Sequence, residues 1–185
     1  MHIDWVRDPS RVMPALEDPS AVGSVRVWGC KYQTLAPLAS LHRLRTLVIL
    51  NFPDERLDFV GELQALQYLS IIHLPKISDL SPLEGLKHLE TLSLHTAPGW
   101  DAGSKKIEVN SLAPVARLPS LKHLSLFGVV PEDLSLRPLE LCKSLRSARF
   151  SKYPKYEMAR FYAATGLSDA HPPEPVSIAI DGKTV

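Results

Sequence analysis

From Val22 to Phe150 the apolar residues fall into one pattern that recurs six times. Each copy reads L-x-x-L-x-L or a close variant: Val22, Val25, Val27; Leu44, Leu47, Ile49; Leu66, Leu69, Ile71; Leu89, Leu92, Leu94; Leu121, Leu124, Leu126; and the degenerate Leu145, Ala148, Phe150. The first positions lie 22, 22, 23, 32 and 24 residues apart. A second pattern keeps step: LAPLASL from Leu35, LDFVGEL from Leu57, LSPLEGL from Leu80, LAPVARL from Leu112 and LRPLELC from Leu136, with starts 22, 23, 32 and 24 residues apart. Two patterns sharing one spacing mark a repeat architecture.

Each pattern has a physical reading. In x-L-x-L-x the side chains alternate between two faces, which predicts a strand. In L-x-P-L-x-x-L the apolar residues recur every three, which predicts a short helical or 3₁₀ turn. Pro37, Pro82, Pro114 and Pro138 sit at the start of that turn, where a missing N–H is harmless, and Ser81 is placed to cap it. One repeat is therefore strand, loop, helical turn and return. It cannot bury its leucines alone; stacked copies share a continuous core.

The expected organisation is one domain over residues 1–185. Residues 1–21 are a degenerate first repeat acting as a cap, with Ile3, Trp5, Met13 and Leu16 at the repeat's apolar positions. Repeats run over 22–150, interrupted by an insertion of about ten residues within 96–110. Residues 151–185 form the second cap. It holds a helix around Met158 and Phe161 that stops at Gly166, then a closing strand through Val176, Ile178 and Ile180 that turns at Asp181 and Gly182. The twice-occurring D-P-S at Asp8 and Asp18 reads as turns.

The two patterns together resemble the leucine-rich repeat family, and the 22-residue period with L-x-P-L-x-x-L is most like its internalin-type bacterial class. The resemblance covers about residues 22–150. It implies an α/β solenoid: a right-handed coil with a parallel sheet on the concave face and short helical or 3₁₀ turns on the convex face. It also implies a role in protein–protein interaction. The sequence departs from the family at the ninth repeat position, where Asn or Cys bonds the neighbouring turn. That position holds Cys30, Phe52, Leu74, Ala97, Val129 and Tyr153, so only Cys30 fits, and no regular asparagine ladder is expected.

The x positions of the strands form the face away from the core. One column reads His2, Ser24, Thr46, Tyr68, Thr91, His123, Ser147; the middle one Asp4, Arg26, Val48, Ser70, Ser93, Ser125, Arg149; the third Val6, Trp28, Leu50, Ile72, His95, Phe127, Ser151. The third column is apolar over most of its length and, at about 4.8 Å per strand, spans roughly 19 Å from Trp28 to Phe127. A contiguous apolar stripe on a solvated face marks an interaction site. The predicted partner-binding residues are Trp28, Leu50, Tyr68, Ile72, His95 and Phe127, with Arg26 and Arg149 towards the ends and Trp100 from the insertion. The small serines of the middle column are expected to let a partner approach closely. Trp100 has two readings of equal weight: an exposed anchor, or a ring folded back over the coil.

Composition narrows the function classes. With 21 basic against 20 acidic residues the net charge is +1, without the basic excess of a nucleic-acid binder. Two cysteines, Cys30 and Cys142, do not make a disulfide scaffold. The N-terminus lacks a signal peptide's apolar core, and no apolar run is long enough to span a membrane, so a cytoplasmic location is expected. No nucleotide, phosphate or hydrolase motif occurs, and the seven histidines do not fall at metal-ligand spacings. No cofactor is expected. The reading is a non-catalytic protein-binding module, of which an immunity-type inhibitor is one form. The alternatives are an enzyme using His73, His95 and Asp101, and a structural protein that self-associates as a homodimer through the same stripe.

Overall fold

Strand, loop and turn recur at the spacing the sequence predicts. The computed structural model describes residues 1–175. Its strands are β1 (His2–Val6), β2 (Ser24–Trp28), β3 (Thr46–Leu50), β4 (Tyr68–Ile72), β5 (Thr91–His95), β6 (Ile107–Val109), β7 (His123–Phe127), β8 (Val129–Pro131) and β9 (Ser147–Ser151). The main sheet has seven strands in the order β1-β2-β3-β4-β5-β7-β9, and β6 pairs with β8 in a second, two-stranded sheet. All pairs are parallel, and the main-sheet register is the repeat itself: Val25 lies opposite Leu47, Leu47 opposite Leu69, Leu69 opposite Leu92, Leu92 opposite Leu124 and Leu124 opposite Ala148. Slipping one strand by one residue would turn its two core side chains to solvent, so the leucine spacing fixes the register.

Behind the sheet lie the helical turns. Ala36–Ser40, Ser81–Gly85 and Arg137–Leu141 are 3₁₀ turns with proline at their first positions. The equivalent segments α1 (Asp58–Gly61) and α3 (Ala113–Ala116) are single α turns. Leu38, Leu83 and Leu139 sit at 0–1% exposure, and Val60 and Val115 point into the same core. Leu44, Leu66, Leu89 and Leu121, just ahead of the strands, are fully buried. Burying a leucine is worth about 1.5–3 kcal/mol, so the stacked leucines are the main stabilising term.

No asparagine ladder is present at the ninth positions. Cys30 donates its thiol to the carbonyl of Trp5 at 3.3 Å, Phe52 stacks on Phe59 with centroids 5.8 Å apart, and Tyr153 donates its hydroxyl to the carbonyl of Val129 at 3.0 Å. Tyr153 thus joins the last coil to its neighbour as an asparagine would. Tyr153→Phe is expected to lower stability by about 1 kcal/mol, measured by urea denaturation, with the buried ring kept in place. Both D-P-S segments are turns: Asp8 accepts the Ser10 N–H at 2.9 Å and Asp18 that of Ser20 at 3.0 Å.

The insertion differs from the expected polar loop. It contains a short helix, α2 (Pro98–Ala102), and the strand β6, whose Ile107 and Val109 are 3% and 1% exposed. The alternation Ile107-Glu108-Val109 carries that strand, and it forms because β8, just after β7, offers it an edge. The end of the coil is covered by α4 (Lys155–Thr165), which stops at Gly166 with φ +68°. Phe161 of α4 is fully buried against Phe150 and Tyr162. The strand expected at Val176–Ile180 lies outside the described residues.

Candidate protein-binding face

The three columns form on the open side of the sheet. Trp28 lies opposite Leu50, Leu50 opposite Ile72, Ile72 opposite His95 and His95 opposite Phe127. All five are half-buried, while the residues just before them, Val27, Ile49, Ile71, Leu94 and Leu126, are 0–3% exposed. The stripe is therefore a continuous surface, and Val6 extends it to β1 at 49% exposure.

An arginine overlies a ring at each end. The Arg26 guanidinium stands 5.8 Å from the Trp28 ring and is gripped by both carboxylate oxygens of Asp4, at 2.8 and 2.5 Å. The hydrogen bonds from Arg26 hold the Asp4 carboxyl below the usual range. At the other end Arg149 stands 5.4 Å from the Phe127 ring, donates to Asp169 at 2.8 Å and lies 2.6 Å from the His171 ring. Arginine over an aromatic face is attractive by about 0.5–1 kcal/mol at exposed sites, so both charges are positioned rather than free.

Four serines of the face do not lie open. Ser24, Ser93, Ser125 and Ser147 are 1–5% exposed. Histidines one strand away cover three of them: His2 Nδ1 lies 2.9 Å from Ser24 Oγ, His95 Nε2 2.8 Å from Ser125 Oγ and His123 Nδ1 2.8 Å from Ser147 Oγ. Of the middle-column serines expected to let a partner approach, Ser93 and Ser125 are buried and Ser70 is half-buried, so the expectation is corrected for Ser93 and Ser125. Side chains as short as serine sit below their longer neighbours on a pleated sheet, and the imidazoles roof them over.

His95 is half-buried within the stripe. It stacks on Phe127 with centroids 4.7 Å apart and planes 15° from parallel. Burial pushes its pKa down to about 4, the Asp101 carboxylate opposing and the Arg149 charge reinforcing the shift. The ring is neutral at pH 7 and acts as part of the apolar surface.

Trp100 is folded back onto the coil without being fully covered. The ring is half-buried, meets the edge of His73 at 5.0 Å and carries the Lys105 ammonium 5.1 Å from its centroid. The insertion is tied to the end of β9: Ser151 donates to Asp101 at 2.5 Å, and Lys152 donates to the Gly103 carbonyl at 2.5 Å. The residues of the enzyme alternative are neighbours, the His73 N–H donating to the His95 carbonyl at 2.7 Å and the Asp101 carboxylate acting on the His95 ring, but each side chain is engaged elsewhere. His73 meets Trp100, His95 is held by Ser125 and Phe127, and Asp101 faces Ser151. Among the described residues no three His, Cys, Asp or Glu side chains cluster to hold a metal ion.

Sequence reasoning missed Asp4, Asp169 and His171. Asp4 was legible, since it stands one repeat of 22 residues before Arg26 in the same column. Asp169 and His171 follow the last repeat and carry no periodic signal.

The chain is a leucine-rich-repeat solenoid. Among solved structures, internalin C2 of Listeria monocytogenes matches it with a TM-score of 0.53 at 22% identity, over 71% of this chain and 52% of that one. A second Listeria internalin matches with a TM-score of 0.41 at 22% identity, over 70% of this chain and 40% of that one. The chain thus spans about half the length of the first of these proteins. At this identity the likeness speaks for the fold. No protein-family model and no curated protein matches the chain. Among the described residues, no helix of the solenoid is long and apolar enough to cross a membrane.

Proposed function

We propose that the open face of the solenoid binds a protein partner, with Trp28, Leu50, Ile72 and Phe127 as apolar anchors and Arg26, Tyr68, His95, Arg149 and Trp100 around them. The observation that carries the reading is the in-register stripe across five neighbouring strands, half-exposed along its length and overlaid at both ends by an arginine. Aromatic and arginine side chains side by side are the composition of binding hot spots. A rigid sheet presents them with little ordering cost, because their backbone is fixed before a partner arrives.

The test is partner capture by the purified chain, followed by affinity measurement with the captured protein. Trp28→Ala and Phe127→Ala are each expected to weaken binding by about 2 kcal/mol, roughly thirtyfold. Melting should stay cooperative in both variants. Sedimentation of the wild type at the same concentrations separates capture of a different protein from self-association. Unchanged affinity in the double variant W28A/F127A would end the proposal.

A further inference from the structure

We propose that the open face takes an extended, carboxylate-bearing polypeptide segment, and that residues 168–175 of this chain occupy that seat in the free protein. The proposal deepens the binding reading above and rests on it.

After Gly166 the chain returns to the sheet. Ser168 forms a single parallel bridge with Ser147, its carbonyl accepting the Ala148 N–H at 3.3 Å, so the tail starts as a short added edge beside β9. It then meets the outward-facing middle column. Asp169 accepts from Arg149 at 2.8 Å, and His171 lies 2.6 Å from the same guanidinium, which is left 23% exposed. Further on the tail reaches the neighbourhood of β4: burial raises the Tyr68 pKa, and the Glu174 carboxylate adds to the rise. Between β9 and β4 lie β7 and β5, and the proposed path takes the tail across them.

The segment's chemistry suits this path. Residues 167–175 read LSDAHPPEP, with two carboxylates and no lysine or arginine. Pro172, Pro173 and Pro175 favour an extended backbone and deny it the donors a further strand would need.

The border of the face is complementary. Arg45 and Arg146 stand exposed in the loops leading into β3 and β9, and among the described residues neither forms an ion pair. Lys122, leading into β7, is paired with Glu90 at 2.7 Å. Burial lowers the His123 pKa first, the charges of Arg146 and Lys122 add to the fall, and the Glu90 carboxylate opposes it. A tail carboxylate, that of Asp169, is already paired with the Arg149 guanidinium in the seat, and a net charge of +1 lacks the excess that a phosphate backbone calls for. A polypeptide is therefore favoured over a nucleic acid. A tethered occupant has an effective concentration of about millimolar, so a partner segment must outcompete it.

The test uses the full chain, labelled with 15N, and a synthetic LSDAHPPEP peptide added to roughly millimolar concentration. In the wild type the amides of Ser70, Ser93, Ser125 and Arg149 should barely shift. In D169N/E174Q, where the exposed tail carboxylates are neutral and the fold is kept, the same amides should shift at about tenfold lower peptide concentration. The peptide with Asn and Gln in place of its two acids should have no effect on either. Equal responses in wild type and D169N/E174Q, or no response in both, overturn the proposal. A short oligothymidylate shifting those amides in D169N/E174Q as strongly as the peptide overturns the choice of a polypeptide. Loss of partner capture in W28A/F127A without any peptide response overturns this proposal alone and leaves the binding reading standing. A peptide response with unchanged capture in W28A/F127A overturns that reading and, with it, the partner half of this one.

Discussion

Gly128→Ala should destabilise the protein by about 2–4 kcal/mol, against about 1 kcal/mol for Gly29→Ala, measured as the shift in urea midpoint at unchanged slope. Both glycines occupy the position just after a strand, and both have left-handed backbone, φ +67° at Gly128 and +65° at Gly29. The same position in other coils holds Arg7, Asn51, His73 and Lys152, also with positive φ, so the fold tolerates that conformational cost. The two glycines differ in their surroundings. A Cβ on Gly29 would meet only Arg7 Cγ, at 4.0 Å, whereas on Gly128 it would lie 2.7 Å from both Cγ2 and Oγ1 of Thr96. Thr96 is 3% exposed, and the Gly128 backbone is pinned from both sides: its N–H donates to Ser151 at 2.8 Å and its carbonyl accepts from Ile107 at 2.7 Å. Neither partner can withdraw cheaply. Thr96→Ser, which removes the methyl group, should restore part of the loss in the double variant. Equal costs at Gly29 and Gly128 would mean that the crowding carries no energy.

Glu157→Gln is expected to cost about 2 kcal/mol at neutral pH and to flatten the acid side of the stability profile. The carboxylate of Glu157 is 7% exposed. It accepts the Leu136 N–H at 2.7 Å, at the start of the last 3₁₀ turn, and two bonds from Arg160, each 2.7 Å. Arg160 also donates to Glu140 at 2.6 Å, tying α4 to that turn. The Arg160 bonds are the main cause that lowers the Glu157 pKa from 4.5 to about 2. A carboxyl with a depressed folded-state pKa stabilises the fold fully above its unfolded value. That contribution is lost as pH falls from about 4.5 towards 2. The wild type should therefore lose more stability than E157Q across this window, and the two curves should converge at its acid end. Parallel curves from pH 5 to pH 2, in denaturant titrations, would show that the cap does not depend on this charge.

Both predictions concern places where the repeat meets something that is not a repeat, and legibility in the sequence divides along the same line. Val25, Leu47, Leu69, Leu92 and Leu124 announced the strands, their register and the outward columns. Pro37, Pro82, Pro114 and Pro138 announced the helical turns. The absence of a ladder followed from Phe52, Leu74 and Val129. By contrast, the buried state of Ser24, Ser125 and Ser147 depends on imidazoles reaching across from the next strand. The strand at Ile107–Val109 needed the edge of β8, and the positions of Asp101 and Trp100 followed from that pairing.

The sequence by itself determined which side chains face the core, which face out and which lie side by side, because a fixed spacing of leucines leaves only one register that buries them all. Only the tertiary structure decided how that outward face is finished. The roofing of its serines by histidines, the docking of the insertion onto β9 and the grip of Asp169 and His171 on Arg149 arise where side chains reach from one coil to another or where non-periodic segments return. No local period encodes those distances; they exist only once the coils are stacked.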